Sequence, residues 1–323
     1  MIDQALRALS TDDPSTLAEA IITLGESGDP KAVAPLVRSL LRFESDVELK
    51  SLVCDSLGEL GDLRSTQALL SQLRDPNEEV RESAFTALLS IGERRANAMP
   101  DASSWTQGFA DPNEALTQIA WQTDLEAVQL LLRALEEDER EVKIGALYTL
   151  GQLGFVGALS QVSKELYNPI DEISAAAAFA LGELARLGSK ETVNTVCHTL
   201  HHAWSNAALG QETQIQVLRA AAECQPQEEQ VKHHLAHLFV SALEHPEHVF
   251  RQLAVIGLGR LGDPRAATVL SLRLQDPEVG VRRNAAYAIG ALNARESSEL
   301  LVHYAIDQSS EVRVAIIKSL QRA

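Results

Sequence analysis

Recurring glycine corners constrain this chain more than any other feature. The stretch "GRLGDPRAATVLSLRLQDPEVGVRRNAAYAIGAL", residues 259 to 292, opens on Gly259 and Gly262, and the next corner, Gly290 and Asn293, follows 31 residues later. The corner stands also at Gly25/Gly28, Gly58/Gly61 and Gly151/Gly154, and survives in degenerate form at Leu89/Gly92, Ala120/Thr123, Gly182/Ala185 and Ala222/Gln225. From Leu89 to Gly182 each step is 31 residues, so the stretch is one copy of a unit that builds the chain.

Each unit reads as two helices. Asp29-Pro30 and Asp263-Pro264 place a capping carboxylate and a first-turn proline just after a corner. A second Asp-Pro (Asp75-Pro76, Asp276-Pro277), or a relative (Asn168-Pro169, His245-Pro246), precedes a run of the form Val-Arg-x-x-Ala-Ala that ends at the next glycine. Glycine suits that end because it accepts a left-handed backbone. The chain is 45% hydrophobic but only 4% aromatic, which fits helices packed through small and straight side chains. An all-α protein is expected.

These residues resemble HEAT repeats, specifically the short variety found in the phycobilisome lyase HEAT-like group. Leu-x-Asp-Pro-x-x-x-Val-Arg stands at Leu73 to Arg81 and Leu274 to Arg282, with Asp307, Val312 and Arg313 in the terminal copy. The resemblance covers nearly all of the chain and implies an α-solenoid, a right-handed superhelix of about nine to ten stacked helix pairs, over residues 1–323 as one domain. Six residues separate a turn residue from the arginine slot in Glu44/Lys50, Asp75/Arg81, Glu137/Lys143, His245/Arg251, Asp276/Arg282 and Asp307/Arg313. In HEAT proteins such pairs resemble a ladder between neighbouring units, which gives them a structural role rather than a catalytic one. The HEAT-repeat deoxyhypusine hydroxylases hold iron with His-Glu dipeptides; this chain contains none, so that activity is not expected.

A formal charge of -17 disfavours nucleic acid, and no basic patch opposes it. No apolar window is long enough to span a bilayer, and the N-terminus lacks the pattern of a leader, so a cytoplasmic protein is expected. Cys54, Cys197 and Cys224 are odd in number and widely spaced, which reads as buried free thiols.

The pattern breaks twice. Residues 94–113 hold Pro100 and Gly108 where a first helix is due, which suggests a degenerate repeat with a loop carrying Trp105 and Phe109. Those aromatics either cover a core edge or contact a partner. In residues 190–248 the corner spacing grows to 40 and then 37, giving two longer units that hold eight of the nine histidines. His198/His202, His233/His237 and Cys197/His201 are each four apart and share helix faces. They are either solvated or partner-facing side chains, or ligands of a transition metal if the two helices stack.

Second helices of a HEAT solenoid line its concave side. Five residues after the arginine slot the chain reads Asp55, Thr86, Thr117, Tyr148, Phe179, Arg219, Ile256, Tyr287 and Lys318, polar at both ends and apolar between. Gly145, Ala175 and Ala176 beside this row suggest a shallow trough. Either curvature buries the row as ordinary core, or Trp121, Tyr148, Phe179, Ile256 and Tyr287 form a groove for a partner helix or flat ligand, with Arg219, Arg260 and Arg283 selecting acidic groups. The leading expectation is a non-catalytic adaptor without cofactor that holds a protein partner there, for assembly or regulation of photosynthetic antenna or cofactor proteins. The family resemblance implies an alternative, a bilin lyase-type protein whose groove holds a linear tetrapyrrole. A helper in metal or iron–sulfur assembly is a third reading.

Overall fold

The computed structural model describes residues 2–98, 126–206, 208–292 and 301–321, without the side chains of 95–98. Among the described residues there is no strand. The helices fall into two compact units, Met1–Val162 and Ser163–Ala323. The first holds α1 (Ile2–Ala8), α2 (Pro14–Glu26), α3 (Val33–Arg42), α4 (Val47–Leu60), α5 (Thr66–Gln72), α6 (Glu78–Ala98), α7 (helical residues 126–134) and α8 (Arg140–Leu153). The boundary falls inside α9 (Leu159–Glu165). The second unit holds α10 (Asp171–Leu187), α11 (Lys190–Trp204), α12 (Gln211–Glu223), α13 (Glu229–Ala242), α14 (His248–Leu261), α15 (Ala267–Leu272), α16 (Val279–Ala291) and α17 (Ser310–Leu320). In each unit first helices pack on second helices, as α3 on α4 and α13 on α14, and consecutive second helices stack: α2, α4, α6 and α8, then α10, α12, α14, α16 and α17. The fold is the expected all-α solenoid of stacked helix pairs. No helix among the described residues is long and apolar enough to cross a membrane.

Local chemistry starts each element. The Asp29, Asp62 and Asp263 carboxylates each accept from the backbone N–H two residues on at 2.9 Å and open a short 3-10 turn ahead of the first helix. Asp62 is followed by leucine, so the carboxylate rather than the proline defines this start. The second Asp-Pro behaves differently from the expectation. Asp276 accepts from the Glu278 N–H at 3.0 Å in a turn before α16, and its carboxylate also accepts from Arg251 of the preceding layer. Longer first helices absorb the extra spacing in residues 190–248, since α11 has 15 residues and α13 has 14 whereas α15 has 6.

The two corner glycines do different work. The second, at Gly61, Gly154 and Gly262, takes a φ near +65° and ends its helix. The first lies inside the last turn, where the next layer comes closest. A Cβ on Gly259 would stand 2.8 Å from the Ala288 Cβ, one on Gly182 2.9 Å from the Ala220 Cβ, and one on Gly58 2.7 Å from the Ala87 Cα. The Leu89/Gly92 corner departs from expectation, because α6 runs through it to Ala98. Gly92 takes the close-approach position instead, against Gln152 and Thr149 of α8, and Arg95 then stands where the helix-ending glycine belongs. The unit expected between α6 and α8 does not separate them: these helices pack directly on each other. Its corner, Ala120/Thr123, lies outside the described residues, as do Trp105, Phe109, Thr117 and Trp121.

The ladder is present, with a corrected pairing. Arginine reaches forward to the aspartate of the next layer, 25 residues on, and not to the side chain six residues back. Arg251 donates Nε and Nη2 to Asp276 at 2.7 and 2.8 Å, Arg282 does the same to Asp307 at 2.8 and 3.2 Å, and Lys50 reaches Asp75. The residue six back contributes its carbonyl: Arg251 Nη1 donates to His245 O at 3.0 Å and Arg282 Nη1 to Asp276 O at 2.9 Å. Arg251 and Asp276 are only 9% and 6% exposed. Burial by itself would raise the Asp276 carboxyl, but hydrogen bonds from Arg251 and the Glu278 N–H, together with the guanidinium charge, hold it below its ordinary value of 3.8. Asp75 and Asp307 are lowered in the same way.

These contacts set what substitution and acid do to stability. Gly259→Ala costs about 1–3 kcal/mol by overpacking, and Ala288→Gly in the same chain recovers part of that loss. Gly262→Ala meets nothing within 4 Å, costs about 1–2 kcal/mol through its φ alone, and is not rescued, which denaturant titration distinguishes. Because the ladder aspartates have folded values below their unfolded ones, their stabilisation is complete above the ordinary carboxylate value and is lost as pH falls through the depressed folded value. Acid melting of wild type therefore steepens below that ordinary value, and Asp276→Asn flattens the profile. Arg251→Ala, which strands a buried carboxylate, costs about 3–5 kcal/mol.

Candidate functional site

In the first unit, the first two turns of α6 and α8 enclose a cleft of about 260 Å³. Leu73, Phe85 and Ile144 supply its apolar lining, and Arg81, Glu82, Arg140 and Glu141 its charges. Phe85 meets Tyr148 edge-on, with ring centroids 5.5 Å apart and planes at 83°, so Tyr148 extends the apolar strip along α8. Gly145 does not leave a trough: a Cβ there would stand 2.7 Å from Leu73 Cδ1, so the leucine fills that space. Arg81 is fixed by Nη1, which donates to Asp75 O at 2.8 Å and Pro76 O at 3.1 Å. Its own backbone N–H, then Arg140, hold the Glu141 carboxyl below its ordinary value, so this part of the rim stays ionised at neutral pH.

In the second unit, Phe179 (α10), Arg219 (α12), Ile256 (α14) and Tyr287 (α16) occupy one register position on consecutive stacked helices. Phe179, Ile256 and Tyr287 are half-buried and Arg219 is exposed, so the row is neither closed core nor free surface. Ala175 and Ala176 are buried and form no hollow. Two of the arginines expected to select acidic groups are already engaged. Arg260 pairs with Glu223 and donates to Ala222 O at 3.3 Å, and Arg283 pairs with Glu311 at 2.8 Å. Arg219 is exposed and, among the described residues, makes no ion pair.

The histidines assemble across helices rather than along them. His198 and His201 of α11 meet His234 of α13 with centroids 5.0 and 5.2 Å apart, and His237 lies 6.1 Å from His201. His202 leaves the group to bond Tyr167, whose OH lies 2.9 Å from Nδ1, and His233 is exposed. Four-residue spacing pairs His201 with Cys197 and leaves out His234, whereas the contacts formed join His198 and His201, three apart, to His234 on the neighbouring helix. Burial, then the charges of His234, His237, His198 and His202, lower the His201 pKa. Cys197 takes no part in this group. It is buried and hydrogen-bonded with Cys224, a bond that, with burial, pushes the Cys224 thiol well up. A thiol held protonated as Cys224 is makes a poor nucleophile and a poor ligand.

Comparisons agree with this architecture. A profile of HEAT repeats matches residues 37–99, 207–288 and 235–321, together more than half of the chain. No curated protein matches it in sequence. The fold resembles the karyopherin Kap121p bound to the extreme C-terminus of the protein phosphatase Cdc14p, with a TM-score of 0.60 at 13% identity over 99% of this chain. A mutant of the same karyopherin gives a TM-score of 0.59 at 12% identity. The chain spans 41% of each karyopherin chain. An engineered protein, 18% identical over 99% of this chain and 98% of its own, aligns with a TM-score of 0.47. With repeat-forming residues, stacked helix pairs and profile in agreement, the chain belongs to the HEAT-repeat family.

Proposed function

We propose that this chain is a non-catalytic adaptor that holds a protein partner on the exposed faces of its second helices. The observation that carries the reading is the α6–α8 cleft, where Phe85 and Ile144 stay half-exposed between fixed charges. An apolar strip rimmed by oriented charges suits a partner helix with an apolar ridge and charged flanks. The Phe179–Ile256–Tyr287 row offers a second contact of the same kind. Stacked repeats favour this role because they present a long surface without a deep pocket. The narrower bilin-handling reading rests on the repeat resemblance alone, and an iron–sulfur role would need thiolates that the Cys197–Cys224 contact disfavours.

The test is capture of partners from native lysate, followed by calorimetry with the purified partner. Phe85→Ala/Ile144→Asp and Phe179→Ala/Tyr287→Ala variants, each with unchanged melting, are compared with wild type. Loss of about 2 kcal/mol of binding in the first variant is expected for a true anchor. Full retention in both variants overturns the adaptor surface. A visible absorbance change on mixing with a linear tetrapyrrole, lost in the same variants, would favour the bilin reading instead.

A further inference from the structure

The histidine cluster has no part in the adaptor reading. Its sequence source is a pair of related runs, His198-x-x-His201 on α11 and His234-x-x-His237 on α13. Three-residue spacing sets each pair on one helix face, and α11 packs on α13. The rings meet at that joint. His201 stacks on His234 at 5.2 Å with the planes 29° apart, His198 meets His234 at 5.0 Å, and His237 lies 6.1 Å from His201. Among the described residues no three His, Cys, Asp or Glu side chains are placed to hold a metal ion. The cluster is a set of proton acceptors in mutual contact.

We propose that the α11–α13 joint is an acid-sensitive clamp, closed on neutral imidazoles at neutral pH and loosened in mildly acidic solution as His198, His201, His234 and His237 take up protons. Three observations carry this. First, neutral rings pack as largely apolar surface, whereas imidazolium rings at these separations repel one another. Second, no carboxylate offsets that repulsion. The charges that act on His201 are those of His234, His237, His198 and His202, and His202 is itself bonded to Tyr167. Acidic groups of the surrounding elements are engaged elsewhere: Asp171 and Glu183 of α10 with Thr213 and Arg186, Glu212 and Glu223 of α12 with Gln216 and Arg260, and Glu228 and Glu229 at the start of α13 with Asn194 and Lys232. Helix α14 carries no carboxylate, and its Arg251 is paired with Asp276. Third, His234 Nδ1 is buried with no hydrogen-bond partner, so a proton placed there is a buried donor without an acceptor.

Burial first, then the neighbouring histidine charges, hold His201 below its ordinary value of 6.5. The stabilisation it contributes is therefore complete above that ordinary value and is lost as pH falls through the lowered folded one. The joint can open by itself. Helices α10, α12 and α14 stack through contacts of their own, and the ladder carboxylates of Asp276 and Asp307, held below 3.8, keep their charge in mild acid.

The experiment is hydrogen exchange of the full-length protein, read by peptide at about pH 7.5 and about pH 5.5 and corrected for the intrinsic rate. Protection of α11 and α13 is expected to fall about tenfold between the two, while that of α2 and α3, which hold no histidine, stays unchanged. His201→Gln/His234→Gln should keep most of that protection in acid, and His233→Gln/His303→Gln, at exposed positions outside the ring contacts, should lose it as wild type does. If the first double variant fails to fold, His201→Gln alone decides, because its ring is half-exposed. Equal protection of wild-type α11 and α13 at both pH values overturns the clamp, as does an undiminished loss in His201→Gln.

Discussion

The closest approach between successive second helices governs this molecule. A helix pair of this kind has apolar residues on more than one side and cannot bury them alone. It does so only when the next pair comes near, and how near is set where a corner glycine of one layer meets an alanine or serine of the next: Gly25 on Ser56, Gly58 on Ala87, Gly182 on Ala220, Gly259 on Ala288 and Gly290 on Ser319. At that spacing Leu24, Leu57, Leu88, Leu147 and Leu150 become fully buried, each contributing on the order of 1.5–3 kcal/mol relative to exposure. The acidic rungs depend on the same spacing, because Arg251 reaches Asp276 only across a layer gap of fixed width.

The rungs add specificity more than net stability. A buried ion pair recovers roughly what its desolvation costs. Its value lies in registration: the guanidinium is held on one side by the carbonyls of His245 and Pro246, and its remaining N–H groups donate to the carboxylate of Asp276 in the next layer. A layer that slipped by one residue would bury both charges unpaired. In a chain with a formal charge of -17, this also keeps several acidic groups in the interior, matched by cations.

Much of this was legible in the sequence, and the failures share a cause. The corner spacing gave the helix pairs, and the recurring aspartate and arginine gave the rungs, because both are local signals repeated many times. Which carboxylate an arginine meets is a question of layer geometry, so pairing within a unit was wrong while the role was right. Gly92 kept its sequence place but moved from ending a helix to admitting a neighbour, something only the contact with Thr149 and Gln152 reveals. Gly145, Ala175 and Ala176 looked like the floor of a trough because smallness reads as space in a sequence, whereas in a packed stack it reads as proximity. The His201–His234 contact joins residues from different units, and no spacing along one helix announces it.

The passage of α6 through its corner has a mechanical consequence. Where α4 meets α6 the layers share a corner glycine and the buried Lys50–Asp75 pair, but where α6 meets α8 the ion pairs among the described residues run from the half-exposed Arg74 to Glu137 and Glu139. Arg81, the rung residue of that joint, keeps its carbonyl bonds and faces Glu141 of α8 across the cleft. A stack in which each layer touches only its neighbours takes its pitch from the contacts at each joint. At α6–α8 those contacts are Gly92 against Gln152 and Thr149 together with the half-exposed Arg74–Glu137 pair, so the pitch of the first unit is set there by a glycine and a surface ion pair in place of a buried rung.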